Sequence, residues 1–186
     1  LSARSASPIH LLPLNAGGTY FWLGGNAHTY SPIPGIPDTN QTIITDGHFL
    51  VSKLVLVSCH YSHFLTDIQN VEVPGGQAIY VDNKGALRFT SPHSAYEPAG
   101  SSNGPFEYTP GTSFGHWNFK GRGAHGFMAC PTTNSTTSAN STTSYRRSRR
   151  GAATPRWQVF AALKNATVPS GKVQDCLGFD ALAVPV

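Results

Sequence analysis

The chain has 186 residues and a mass of 19.8 kDa, a length that favours one domain with its own hydrophobic core. Charged residues make up only 12% of it, and it contains 19 glycines and 14 prolines. This composition excludes a coiled coil or a helical bundle and favours an all-β domain, spanning residues 1–186, with many turns.

The formal net charge of +4 comes from one short run of sequence. Without Arg146, Arg147, Arg149 and Arg150 the chain would be neutral. A nucleic-acid interface needs basic residues spread along a groove, so we expect no nucleic-acid partner. No apolar run approaches the length of about 18 residues that spans a bilayer, so we expect no membrane span.

Four Asn-x-Ser/Thr sequons favour a secreted protein over a truncated cytosolic one. We interpret the start at Leu1, with no methionine, as the result of signal-peptide removal. The predicted N-glycosylation sites are Asn40, Asn134, Asn140 and Asn165.

The first predicted elements are two short strands, Pro8–Leu14 and Thr19–Leu23, around a Gly-Gly turn. A loop rich in Gly and Pro follows over residues 24–40, and then a short strand at Thr42–Thr45.

Residues 51–69 form an anomalous insert, VSKLVLVSCHYSHFLTDIQ, in a chain otherwise rich in Gly, Pro and Thr. Its codons are compatible with the splice-site and branch-point patterns of a short retained intron, whose removal would join Leu50 to Asn70. A genuine pair of strands is the other interpretation. A tryptic peptide containing Cys59 from natively secreted protein would exclude the intron.

The strongest hairpin signal follows, with Gln77–Asp82 and Ala86–Thr90 flanking a turn that ends in Gly85. Trp157–Leu163 is the richest strand by composition, although its Ala and Leu also allow a short helix. The other later strands are Phe106–Thr109, Phe114–Phe119, Phe127–Cys130 and Gly178–Val184. So many short strands predict an antiparallel β-sandwich with long surface loops, or alternatively a β-trefoil or small barrel.

Residues 131–155 are a low-complexity Ser/Thr/Asn-rich segment that contains the run RRSRR near its end and cannot form a core. We predict a glycosylated surface loop. The basic run has three interpretations: a solvated charge run, a dibasic cleavage site, or a patch for an anionic partner.

The three cysteines predict one disulfide. Cys130 and Cys176 each adjoin a predicted strand, and a bond between them would stabilise the fold by about 3–4 kcal/mol. Cys59 is then unpaired. No two cysteines have the spacing of metal ligands, so we predict neither a metal nor a cofactor.

Residue types suited to catalysis occur without a catalytic motif. The chain has no G-x-S-x-G elbow and no H-E-x-x-H signature, and none of its nine acids lies in a telling context. We therefore predict no catalytic residue. A secreted hydrolase remains an alternative that would need a deep pocket around His116 or His125.

Aromatic residues suggest binding more readily than catalysis. Tyr20, Phe21 and Trp22 are consecutive, so a strand would turn at least one ring outward. We predict Tyr20, Trp22 and Trp117 as residues that stack on sugar rings, against the alternative that such rings belong to the core.

Four segments stand out in their order: SPIHLLPLNAGGTYFWLGG, VPGGQAIYVDNKGALRFT, GHWNFKGRGAHGFMACP and WQVFAALKNATVPSGKVQDCLGFDALAV. Together they resemble fungal secreted proteins of the IgE-binding or PhiA-like (phialide) cell-wall family. The resemblance covers the chain apart from 51–69 and most of 131–155. It places Cys130 and Cys176 at a family cysteine pair, whereas a second pair typical of the family is missing after WLGG.

The resemblance implies an extracellular or cell-wall location and no established catalytic residue. We therefore expect a secreted glycoprotein with a structural or binding role at the fungal cell wall, whose partners are wall polysaccharide or wall proteins. If the protein is an allergen, IgE is a further partner. The alternatives are a carbohydrate-binding module, a secreted effector and, less favoured, the hydrolase.

Overall fold

The computed structural model describes residues 1–25, 27, 42–45, 49–51, 77–132 and 156–183. Its strands are β1 (Ser2–Ala3), β2 (Leu14–Gly17), β3 (Tyr20–Leu23), β4 (Ile43–Thr45), β5 (Phe49–Val51), β6 (Gln77–Val81), β7 (Leu87–Phe89), β8 (Phe106–Thr109), β9 (Gly115–Phe119), β10 (Phe127–Pro131), β11 (Trp157–Ala161) and β12 (Leu177–Ala183). Two short 3-10 turns, Gly121–Gly123 and Val173–Asp175, complete the described elements. None of the described helical turns is long and apolar enough to cross a membrane.

The strands form one antiparallel sheet in the order β4-β5-β6-β7-β3-β11-β10-β12-β9-β8, with β2 added beside β3 and β1 beside β12. This sheet curls into a half-barrel. The predicted all-β class is therefore confirmed. A sandwich and a curled sheet both bury one side of each strand, so the same alternating pattern is compatible with either. In this protein ten of the strands form a single sheet in one continuous order, and β1 and β2 are added to its side.

The sheet packs side chains on both of its faces. The inner face is the larger cluster, which includes Phe21 and Leu23 from β3 and Phe127 from β10, all at most 2% exposed. The outer face carries a smaller cluster around Met128, Cys130 and Phe160. Because successive residues of a strand point to opposite sides, neighbouring residues of β10 contribute to different clusters.

The predicted strand at Pro8–Leu14 is wrong. The chain turns there, and the strand begins only at Leu14 and runs to Gly17, opposite β3. Leu11 has a φ of 59°, which a strand does not accept, and Pro8 and Pro13 have no N–H to donate to a ladder. The turn is nevertheless part of the fold, since Ile9 is fully buried.

The predicted hairpin is confirmed as β6 and β7. At its turn, Asp82 Oδ1 accepts hydrogen bonds from the backbone N–H groups of Lys84 and Ala86, each at 2.9 Å. Gly85 has a φ of 92°, a left-handed conformation that favours glycine. Arg122 donates to the Asp82 carbonyl oxygen at 2.6 Å and so ties the turn to the segment before β10.

The structure joins the sulfurs of Cys130 and Cys176, the pair expected from the sequence. Cys130 lies fully buried on β10, and Cys176 follows the turn Val173–Asp175. The bond therefore fixes the loop before β12 onto the outer face of the sheet.

Two predicted segments fall almost entirely outside the described residues. One is the insert at 51–69, of which only Val51 is described. The other is the segment at 131–155, of which only Pro131 and Thr132 are described, so neither of its two glycosylation sites is included. The predictions made for both segments stay predictions.

Candidate functional site

Strand β3 turns two aromatic side chains to the outer face of the sheet. Phe21 and Leu23 enter the inner core, so Tyr20 and Trp22 point the other way, and both are only partly buried. Their rings meet edge to face, with centroids 6.3 Å apart. The Trp22 indole N–H donates to the Gly17 carbonyl oxygen at 2.9 Å, which fixes the orientation of its ring.

The neighbouring hairpin places a charge and a third ring beside this pair. Arg88 on β7 lies directly opposite both Tyr20 on β3 and Tyr80 on β6. The central carbon of its guanidinium is 4.3 Å from the Tyr20 ring centroid and 6.0 Å from that of Tyr80. A guanidinium over a ring face at these distances stabilises the arrangement by about 0.5–2 kcal/mol.

A second arginine lies beside Trp22, at the other end of the aromatic pair. The guanidinium carbon of Arg156, just before β11, is 4.8 Å from the centroid of the Trp22 ring. We call Tyr80, Arg88, Tyr20, Trp22 and Arg156, in this order, the arginine–aromatic row. It places three rings and two cations side by side along the outer face of β6, β7 and β3, up to the start of β11.

The two arginines differ in their other partners. Arg88 forms an ion pair with Asp82, with Nη1 and Oδ2 3.8 Å apart, and donates from Nη2 to Thr19 Oγ1 at 2.9 Å. Thr19 has a φ of 66°, an unfavourable conformation for a β-branched residue, and the bond to Arg88 helps to hold it. Arg156, by contrast, makes no side-chain hydrogen bond or ion pair with any of the described residues.

Three buried nitrogen atoms of these arginines have no hydrogen-bond partner in the described part of the chain. They are Nε of Arg88 and both Nε and Nη2 of Arg156. A buried donor without an acceptor costs about 1–3 kcal/mol, and more when the group is charged. The row therefore has unused hydrogen-bonding capacity, most of it at Arg156.

Burial also shifts the pKa values of two groups near the row. It raises the pKa of the Tyr80 phenol above its ordinary value of 10.0, although the Arg88 charge opposes the shift. It likewise raises the pKa of Glu97, against a hydrogen bond from Asn103. In both groups, burial favours the neutral form.

Comparisons with known proteins identify the family of this chain. The model of a family described as "PhiA-like secreted protein" matches residues 1–142. The chain belongs to the PhiA-like secreted protein family. An uncharacterized secreted protein of Arthroderma benhamiae is 37% identical over 179 residues, which cover 94% of this chain and 72% of that relative. No solved structure matches the chain significantly.

Family membership confirms the resemblance noted in the sequence and the prediction of a secreted protein. Neither the family description nor the name of the relative mentions an enzymatic activity, a ligand or a partner. The role of this PhiA-like protein must therefore be argued from its own residues.

Of the three predicted sugar-stacking residues, the structure brings Tyr20 and Trp22 together and separates Trp117 from them. Trp117 is only 4% exposed and packs between Phe106 and Phe127 in the inner core. Its ring has no face open to a ligand, so the prediction is corrected for Trp117. Gly115, Trp117 and Phe119 alternate along β9, and this period-two pattern already indicated an inward ring.

The other predicted residues lie apart from the row. Asn165 is exposed, in the loop between β11 and β12, where an attached glycan would meet solvent. Asn40, Asn134 and Asn140 lie outside the described residues. Among the histidines named as alternative bases, His116 is exposed with its ring 6.2 Å from that of Phe114, and His125 is exposed near a turn. The described residues contain no group of three or more metal-binding side chains.

The sequence analysis did not select Arg88, Tyr80 or Arg156 as site residues. A signal existed for the first two, because the predicted hairpin pairs Tyr80 with Arg88 and the alternation of Leu87 and Phe89 turns Arg88 outward. No local pattern could have revealed Arg156, whose contact with Trp22 depends on the pairing of β11 with β3.

Proposed function

We propose that this protein is a wall-associated glycoprotein that binds a fungal cell-wall polysaccharide along the arginine–aromatic row. The observation that carries the proposal is the pair of partly exposed rings, Tyr20 and Trp22, held on the outer face by a cation at each side. The apolar faces of sugar rings pack on aromatic rings, and the polar groups around such rings orient the hydroxyls.

The packing of the row supports binding because it reduces the entropy lost when a ligand is bound. Hydrogen bonding at Trp22 Nε1 and the neighbouring guanidinium groups restrict both rings before any ligand arrives. A site whose side chains are already ordered avoids about 0.5–1.5 kcal/mol for each side chain that would otherwise be immobilised.

The test is retention of the secreted, glycosylated protein on isolated fungal cell walls and on insoluble chitin, β-glucan and mannan, beside a heat-denatured control. Trp22→Ala should lower the affinity for the retaining material about tenfold, which corresponds to about 1.4 kcal/mol. Soluble oligomers of that material should compete.

The matched control is Tyr108→Ala. Tyr108 is 47% exposed on β8, the last strand of the sheet order and distant from β3 along it. Removal of this ring should leave retention unchanged. Equal retention of Trp22→Ala and the wild type, or no retention of the wild type on any material, would contradict the proposal.

A second candidate is attachment through wall proteins. Tyr108 and Phe114 are both more than two-fifths exposed near the β8 end of the sheet, and exposed rings grouped in this way are typical of protein contacts. This alternative predicts the opposite outcome, in which Tyr108→Ala loses wall retention and Trp22→Ala keeps it.

A further inference from the structure

We propose that the ligand of the row is an anionic polysaccharide, one that carries carboxylate or phosphate groups, and that Arg156 binds its charge beside the Trp22 ring. This inference rests on the proposed function and adds the chemical class of the ligand. The observation behind it is the difference between the two arginines of the row.

Arg88 has internal partners for its charge, whereas Arg156 has none among the described residues. Asp82 lies 3.8 Å from Arg88, and Thr19 accepts a hydrogen bond from it. The described part of the chain contains only one other ion pair, between Lys120 and Glu107, so no described carboxylate balances Arg156. The charge of its guanidinium is therefore uncompensated within the described part of the chain.

Arg156 is also held in place rather than free in solvent. A Cβ atom added to Gly25 would come within 3.1 Å of Arg156 Nε and 3.4 Å of its Cδ and Cγ. The side chain therefore packs closely against the Gly25 backbone on one side and against the Trp22 ring on another. Gly25 has a φ of 71°, so both its conformation and this close approach favour glycine.

Two buried N–H groups of this positioned side chain, at Nε and Nη2, lack acceptors. A guanidinium presents its donors in a planar fork that matches the two oxygens of a carboxylate or a phosphate. A small shift of the side chain toward a bound anion would give these donors partners. A neutral sugar has no charge to offer and would leave the guanidinium uncompensated.

The experiment compares charged and neutral forms of the same polymer. One arm uses phosphate-bearing mannan before and after enzymatic dephosphorylation, and the other uses polygalacturonate and its methyl ester. The wild type should bind at least one charged form about tenfold more tightly than its neutral counterpart. The two arms show whether the anion is a phosphate or a carboxylate.

Arg156→Gln should abolish most of this preference and leave the affinity for the neutral form nearly unchanged. Arg156→Lys keeps the charge but not the fork, so it should retain only part of the preference. Lys120→Gln is the matched control, because it removes one positive charge from an exposed side chain that follows β9, distant from β3 along the sheet order. Thermal unfolding of each variant verifies that it is folded.

The basic run RRSRR also attracts anions, so each comparison is repeated with Arg146, Arg147, Arg149 and Arg150 changed to Gln. The inference requires the Arg156→Gln effect to persist in that background. If instead the fourfold variant loses the preference and Arg156→Gln keeps it, the anion binds the run and the inference is overturned.

The outcomes separate the inference from the proposed function. Retention that depends on Trp22 but is equal for charged and neutral forms overturns the anionic ligand and leaves polysaccharide binding intact. Failure to bind any of the polymers or the isolated walls overturns both.

Discussion

The two faces of strand β3 consist of large apolar or aromatic residues that are packed in different ways. Phe21 and Leu23 are fully buried among other apolar side chains of the inner core. Tyr20 and Trp22, one residue away in each case, remain partly exposed and pack against arginines. The inner side of β3 is stabilised by the removal of apolar area from water, whereas cation–π contacts add to the packing on its outer side.

This difference teaches that ring content alone does not identify a binding surface. Trp117 and Trp22 are both tryptophans in short aromatic strands, yet one is in the core and the other on the outer face. What distinguishes Trp22 is the set of neighbours that pairing with β2, β7 and β11 brings to β3.

The largest expected effect comes from adjacent substitutions on opposite faces. Phe21→Ala should lower the free energy of unfolding by about 3–5 kcal/mol, because it removes a fully buried ring from the inner core. Tyr20→Ala should cost about 1–2 kcal/mol, since its ring is only partly buried, where it contacts Arg88 and the outer apolar cluster. Urea unfolding measures both, and equal losses would refute the division into two faces.

Removal of the disulfide measures how much this covalent link to the outer face contributes to the free energy of unfolding. Cys176→Ala should lower the free energy of unfolding by about 2–4 kcal/mol, because the two cysteines are 46 positions apart and the chain that joins them gains freedom in the unfolded state. The double variant with Cys130→Ala should lose little more, since both changes remove the same bond. An unchanged urea midpoint in Cys176→Ala would show that the bond does not stabilise the protein.

A double-mutant cycle isolates the contact between Arg88 and Tyr20. With Arg88→Met and Tyr20→Leu, we expect a coupling energy of about 0.5–2 kcal/mol in the free energy of unfolding. The control cycle combines Tyr20→Leu with Arg156→Met, which contacts Trp22 instead. Its coupling should be smaller than that of the first cycle. The reverse ranking would contradict the order of the row.

The smallest effect is a pH dependence from Tyr80. Its pKa in the folded protein is raised above 10.0, so the folded state favours the neutral phenol. The contribution to stability is complete below pH 10.0 and is lost as the pH rises through the higher pKa of the folded state. Urea midpoints at about pH 9 and about pH 11 should therefore fall more for the wild type than for Tyr80→Phe. An equal fall in both proteins would show that groups other than Tyr80 cause the pH dependence of stability.

Much of the fold was predictable because local signals agree with it. The alternation in YFWL, QAIYV and LRF predicts which side chains turn inward, and Asp82 with Gly85 predicts the hairpin turn. The strand at Pro8–Leu14 was mispredicted because its apolar residues fit a strand by composition, whereas its prolines and the positive φ of Leu11 prevent one.

The candidate site was predictable only in part. The outward side of β3 follows from its alternation, so Tyr20 and Trp22 could be named. The arginines that distinguish these rings come from other strands, and Arg156 is 134 positions after Trp22 in the chain. Single-sequence patterns do not specify which distant strands pair, so only the sheet order shows that these arginines lie beside the rings.

The most direct test of the account is a fluorescence titration of Trp22 with soluble oligomers of the polymer that retains the protein. The account predicts a saturable change in tryptophan emission for the wild type and for Trp157→Phe, and none for Trp22→Phe. A change that survives in Trp22→Phe, or no change in the wild type at saturating oligomer, would show that the arginine–aromatic row is not the binding face.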